Sequence, residues 1–319
     1  MSSASSSAVQ RARLGMRRRF SAVPSGYLYV MVAILGGSVA SIVTKQALTE
    51  AIPAIPMLAT RLIVSAALLW LIQFFIFRER PKLERRLLLG AAAAGLTNAV
   101  SLTSFYLALL HIDASIAMVL FSAHPLIVLG MLLLLGSRPT RLDAGRAGLG
   151  LIGVTLLVGI GGQVAWQGVA LTLVTVVFFS IHLIIVQRYL YGYSSTQITP
   201  LFISVMAICD TLVYFFTSPP AEWFVFSANG WVVIGITAVF STVIARLALT
   251  AGIQRLGSAQ TALLSPIETV LAVGMAAVFL GERLSPLQLI GGTLVLVSAM
   301  LVVARKTAPA QAIERSAER

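Results

Sequence analysis

The chain has 319 residues, 58% of them apolar and 11% charged, and its mean hydropathy is +0.94. Soluble domains average about 45–50% apolar and about 25% charged residues, so a water-soluble globular fold is excluded and an all-α polytopic membrane protein is expected. A net charge of +12 would suggest a nucleic-acid partner in a soluble protein, but the basic residues must first be placed relative to the membrane.

Residues 1–20 (MSSASSSAVQRARLGMRRRF) are Ser-rich and then Arg-rich without apolar periodicity, so a disordered basic tail is predicted over 1–26. Such a stretch ahead of an apolar run also resembles a signal peptide. The run from Tyr27 to Ala47 is too long for a signal core, however, and reads as an uncleaved first helix. Apolar runs follow one another at 27–47, 56–77, 87–110, 113–135, 144–161, 165–187, 198–217, 230–254, 258–280 and 286–303. Each approaches the roughly 20 residues, at about 1.5 Å each, that cross a hydrocarbon core about 30 Å thick. Loop breakers separate them, among them Pro53, Pro81, Pro139, Gly161-Gly162, Pro219-Pro220 and Gly281. Ten transmembrane helices are predicted, with a C-terminal tail over 304–319.

Counting Lys and Arg on alternate sides sets the orientation. Arg11, Arg13, Arg17, Arg18, Arg19, Arg78, Arg80, Lys82, Arg85, Arg86, Arg138, Arg141, Arg146, Arg188, Arg255, Arg305, Lys306, Arg315 and Arg319 fall on one side, and Arg283 alone on the other. Nineteen against one places both termini in the cytoplasm. The positive charge is therefore topological, and no nucleic-acid partner is expected. Cys209 is the single cysteine, which excludes an internal disulfide and any cysteine-built metal site.

The fourth and fifth spans align with the ninth and tenth at a shift of 144, becoming 145 after one insertion. Gly130 then meets Gly274, Met131 meets Met275, Gly136 meets Gly281 and Arg138 meets Arg283. Two five-helix repeats are expected, over 27–161 and 165–303. Because five is odd, the second is inverted in the membrane relative to the first, the plan of many transporters with a site at mid-membrane.

Depth singles out the ionisable residues. Arg246 lies nine residues from Arg255 and Glu268 ten from Ser258, so about 13 and about 15 Å from one membrane edge. His124 aligns opposite Glu268, at a similar depth from the other edge. An ionisable group facing lipid at the midplane costs about 2.5–3.5 kcal/mol on insertion scales, so all three should face inward. Three stripes are predicted to share their cavity: Thr97, Asn98, Ser101 and Ser104; Thr242, Arg246, Thr250 and Gln254; and Thr261, Ser265 and Glu268.

Two readings stay open for Arg246 and Glu268: an internal salt bridge joining the halves, or substrate contacts. His124 is either a structural hydrogen-bonding residue or part of the site. Lys45 and Arg61 fall near the outer ends of their helices, where snorkelling is inexpensive, and read as structural or gate residues. Pro125 and Pro266 should loosen the helix one turn earlier, near Phe121 and Ala262, where free carbonyls require a cavity.

The run AGIQRLGSAQTALLSPIETVLAVGMAAVFLGERLSPLQLIGG resembles the signature of the EamA-type drug/metabolite transporter superfamily. Gly281-Glu282-Arg283-Leu284-Ser285 is its most specific piece; PMLATRLIVSAALL, with Arg61, is similar to the family's second helix, and Ser38 and Lys45 fall near its small-polar and Lys positions. Glu268 departs from the pattern in being followed by Thr269, with Pro266 two residues before it, and Arg246 stands where an uncharged residue is expected. The resemblance implies a secondary transporter of small amphipathic metabolites such as amino acids, in the outward direction, in the cell's inner membrane. The alternative is an exporter of lipophilic cations, for which Glu268 alone would matter. The expected substrate-binding set is Glu268, Arg246, His124, Asn98, Ser101, Thr242 and Ser265. The expected partners are a small-molecule substrate and the lipid bilayer, with no cofactor or metal. No oligomeric state is set by these residues, and a monomer is compatible with them. No P-loop, His-rich motif or reactive-Cys context speaks for ATP hydrolysis or an intramembrane enzyme.

Overall fold

The computed structural model describes residues 3–78, 84–124, 126, 127, 131, 141–158, 164–190, 192–217, 219, 224–256 and 258–298; within these, side chains are described except at 3–24, 141–144, 146, 147, 157, 158, 188, 258–260, 262, 263, 265 and 266. All regular structure among the described residues is helical. The helices are α1 (Ser3–Thr49), α2 (Ala54–Leu71), α3 (Arg85–Ala108), α4 (Ala114–Phe121), α5 (Arg141–Val158), α6 (Trp166–Tyr189), α7 (Ser195–Thr217), α8 (Ala228–Leu256), α9 (Ser258–Met275) and α10 (Pro286–Ser298).

Six stretches among the described residues are long and apolar enough to cross a membrane: Ser25–Thr49, Ala54–Phe77, Arg85–Ala108, Trp166–Gln187, Ser195–Thr217 and Ala228–Leu256. Each coincides with one predicted span to within three residues at either end. The predicted spans at 113–135, 144–161, 258–280 and 286–303 correspond to shorter described helices or extend into residues outside the described set.

Two expectations need correction. The segment predicted as a disordered tail is helical from Ser3 onward and continuous with the first span; its Ala, Arg, Leu and Met residues are good helix formers, and propensity needs no apolar stripe. At the two prolines the helices behave differently. α4 ends at Phe121, one turn before Pro125, which lies outside the described residues. α9, by contrast, runs unbroken from Ser258 to Met275, through the position of Pro266.

The ends are set by local chemistry. Pro53, extended at φ −62° and ψ 129°, precedes α2. Ser227 Oγ accepts the Gly230 N–H at 3.1 Å, an N-cap for α8. Gly281, in the left-handed region at φ 68°, turns the chain after α9 and its wide π-helical last turn Ala276–Leu280.

The side chains are sorted inside out relative to a soluble protein. Phe75 is 74% and Phe216 88% exposed, whereas Arg61, Asn98, Ser101 and Thr242 are buried. Water would punish that pattern and hydrocarbon rewards it, so the apolar rim is the lipid-facing surface of a multi-pass membrane protein. Inside it, α1 lies along α8 and α9, α3 along α6 and α7, α2 along α7, and α4 between α6 and α9. Mid-way along α8 the backbone widens into a π-helical segment, Thr237–Ile244. α1 touches it at Gly36, where an added Cβ would lie 2.8 Å from the Phe240 carbonyl oxygen and 2.7 Å from Ala245 Cβ. Only glycine permits that approach.

Candidate functional site

A two-lobed cavity lies at the centre of the bundle. The proximal lobe, toward the N-terminal end of the α1 span, has a volume of about 150 Å³ and is walled by Val30, Ile34, Leu183, Leu249 and Thr261, with His124. The distal lobe, toward the other end, has a volume of about 110 Å³ and is more polar, with Ser41, Thr44, Arg61, Asn98, Ser101 and Tyr106 in its wall. Both volumes far exceed the roughly 10–15 Å³ that a single water needs. Gly37, Phe121, Phe179, Ser241, Arg246 and Glu268 line both lobes and form the waist between them.

The waist is built from five helices. α1 contributes Gly37, whose missing Cβ leaves room for the Glu268 carboxylate, and Ser38 Oγ donates to the Glu268 carbonyl at 3.1 Å, fixing α9 against α1. α4 and α6 contribute Phe121 and Phe179, with ring centroids 4.9 Å apart. α8 presents Ser241 from its π-helical segment and Arg246 from the turn beyond it. Arg246 and Glu268 thus face one space from two helices.

Arg61, read as a structural or gate residue, lies deeper than its distance from the helix end suggests. It was expected to snorkel near a helix end, but it is 4% exposed and lines the distal lobe. Its Nε donates to Thr242 Oγ1 at 2.9 Å, Nη1 to the Tyr106 hydroxyl at 2.5 Å and Nη2 to Ser241 Oγ at 2.7 Å. Two consecutive residues of the wide π-helical segment of α8, Ser241 and Thr242, meet one guanidinium. Thr242 is consequently occupied as a partner of Arg61 and lines neither lobe, contrary to expectation.

Asn98 and Ser101 do line the distal lobe. Ser101 donates to the Thr175 carbonyl at 3.0 Å, and Asn98 Nδ2 to Met206 Sδ at 3.2 Å. His124 lines the proximal lobe with Nδ1 3.2 Å from the Phe121 carbonyl, the group freed where α4 ends. The Ser265 and Pro266 side chains, and Pro125, lie outside the described residues. Phe121, Phe179, Tyr106 and Gly37 carried no signal in the sequence, because an aromatic or a glycine in an apolar span reads as packing.

Beyond the distal lobe the helices are tied together. Lys45 Nζ donates to the carbonyls of Leu109, at 2.7 Å, and Ile112, at 2.8 Å, capping the C-terminal end of α3. It is half-buried, not free to snorkel. The Glu282 carboxylate accepts the backbone N–H groups of Ala114 and Ser115, both at 2.9 Å, and caps α4. Asp113 lies beside them; burial and the neighbouring Glu282 push its carboxyl above the usual carboxylate range, partly offset by Lys45.

A helical membrane protein with a polar, charge-bearing cavity at its centre is the architecture of a carrier. Comparison with known proteins agrees. The model of the EamA-like transporter family matches residues 24–159 and again 166–304, and the chain belongs to that family. It is a multi-pass membrane transporter of small molecules. No curated protein matches the chain. Among solved structures, one titled only "Crystal structure of protein" is similar at a TM-score of 0.60 and 18% identity, over 89% of this chain and 97% of that one, a likeness of fold alone.

Proposed function

We propose that the chain is a secondary transporter that exports small amphipathic metabolites such as amino acids by alternating access, with the waist of the cavity as its substrate site. The observation that carries this reading is that Arg246 and Glu268 line both lobes. A zwitterion would give its carboxylate to Arg246 and its ammonium to Glu268 in charge-assisted bonds, and would meet both groups whichever lobe it entered from. His124 borders that path in the proximal lobe. Two spans of one family model, each about half the chain, support ten transmembrane helices arranged as two inverted five-helix repeats, over 27–161 and 165–303. The excess of Lys and Arg on one side supports cytoplasmic termini in a cell inner membrane. In that topology the proximal lobe faces the cytoplasm, and the ties at Lys45 and Glu282 close the outer side. The two cavity guanidiniums weigh against the lipophilic-cation alternative, since a cation would meet two like charges.

The test is counterflow of labelled amino acids in proteoliposomes. Glu268→Gln and Arg246→Ala should each lower flux roughly 10- to 100-fold, the worth of one hydrogen bond to a charged group. Unchanged flux in both variants would remove the waist as the site.

A further inference from the structure

We propose that the distal lobe is a second anion subsite headed by Arg61, so that the carried molecule bears two acidic groups and one ammonium, as an acidic amino acid does. The proposal rests on the waist being the substrate site and adds to it the charge of the substrate.

The buried Arg61 guanidinium has three hydrogen-bond partners, and all are neutral hydroxyls: Thr242, Tyr106 and Ser241. Hydroxyls take three of its five N–H groups but do not compensate its charge, which is costly away from water. The sequence offers few counter-charges. Of its eleven Asp and Glu residues, Asp210 and Glu268 fall in the middle of a described helix, while Asp143 is the third residue of α5. Asp210 is engaged by the Thr103 hydroxyl and lines neither lobe. Among the described residues, the cavity wall therefore carries two guanidiniums, Arg61 and Arg246, against one carboxylate, Glu268.

A zwitterion with one carboxylate and one ammonium leaves that imbalance standing; a second carboxylate removes it. A second observation speaks for a polar partner beside this lobe. Asn98 is 1% exposed in its wall, and its Oδ1 has no hydrogen-bond partner while its amide nitrogen is taken by Met206. A buried acceptor left this way calls for a donor. An ammonium held by Glu268 and Asn98 Oδ1 supplies it, with one carboxylate directed to Arg246 and the other to Arg61.

The experiment uses the full chain in proteoliposomes, with counterflow of labelled L-glutamate and L-aspartate measured against their near-isosteric amides, L-glutamine and L-asparagine. The wild-type protein should prefer acid over amide at least tenfold. Arg61→Gln should collapse that ratio at least tenfold, and Arg61→Lys should restore most of it. A ratio is independent of how much protein folds, and melting of each variant in detergent identifies those that do. Equal transport of acids and amides by the wild type, or an Arg61→Gln variant that slows both by one factor, would overturn the anion subsite while leaving the amino-acid reading intact. Transport of none of the four would overturn both.

Discussion

Ser115 gives Glu282 two hydrogen bonds, one from its backbone N–H at 2.9 Å and one from its hydroxyl at 2.6 Å, and Ala114 adds a third at 2.9 Å. Glu282 lies in the turn opened by Gly281 after α9, yet it serves the first turn of α4, more than 160 residues away in the chain. It takes the place of a local N-cap, because Asp113 precedes α4 without making a capping bond. Removing an N-cap costs about 0.5–2 kcal/mol. Glu282→Ala should lower stability by that amount or slightly more, read by thermal unfolding in detergent, and Glu282→Gln should lower it less, since one oxygen still accepts. A melting curve identical to wild type in Glu282→Ala would mean that the tie contributes nothing.

Asp113 makes a prediction about pH. Its carboxyl titrates above the ordinary value because burial and the Glu282 charge disfavour the ionised form, while Lys45 opposes them. A carboxylate with a raised value in the folded state binds its proton more tightly there than in the unfolded chain. Its effect is therefore a destabilisation, absent below about 3.8 and growing as pH rises from that value through the raised one. Asp113→Asn should melt higher than wild type at neutral pH and converge with it near pH 4. Because Asp113 is only partly withdrawn from water and much of its surface stays open to solvent, the gain should be small and should shrink further with salt. A gain that grew on acidification would contradict this sign.

Gly36 and Gly37 are neighbours with separable roles. A Cβ at Gly36 would press on the Phe240 carbonyl and Ala245, atoms fixed in the helix backbone or next to it. Gly36→Ala should therefore force α1 and α8 apart and cost about 1–3 kcal/mol of stability, the usual range for overpacking. A Cβ at Gly37 would meet instead the Glu268 carboxylate, the end of a side chain that can turn away. Gly37→Ala should fold nearly as well as wild type and lose transport. Measuring melting and counterflow on both variants tests the pair, and the reverse assignment of losses would exclude a functional role for the close approach of α1 to Glu268.

The sequence made the helices legible wherever one physical signal dominated, because about 20 apolar residues in a row have few other uses. It also made Arg246 and Glu268 legible, because depth can be counted along a helix and a midplane charge needs a reason to be there. Arg61 resisted the same method. It lies seven residues beyond Ala54, about 10 Å along α2, so counting put it within snorkelling reach of an edge. What buries it is tertiary: Ser241 and Thr242 are 180 and 181 residues distant. The π-helical turn that aims them together has no signature in the run TAVFSTVI. Lys45 shows the same limit. Its position near a helix end was readable, but its use as the cap of another helix was not.

Tyr106 carries the last prediction. It is 2% exposed, and its hydroxyl accepts from Arg61 Nη1 at 2.5 Å and from Thr44 Oγ1 at 3.3 Å. Tyr106→Phe keeps the ring and deletes the acceptor, so a buried charged donor loses one of its three partners. That should cost about 1–3 kcal/mol. In an Arg61→Gln background the guanidinium is gone, and the same deletion should cost much less. A double-mutant cycle on melting in detergent should therefore return a coupling within about 0.5–3 kcal/mol, the range for residues in direct contact. Additive losses would show that the hydroxyl and the guanidinium do not support one another, and would leave the position of Arg61 to packing alone.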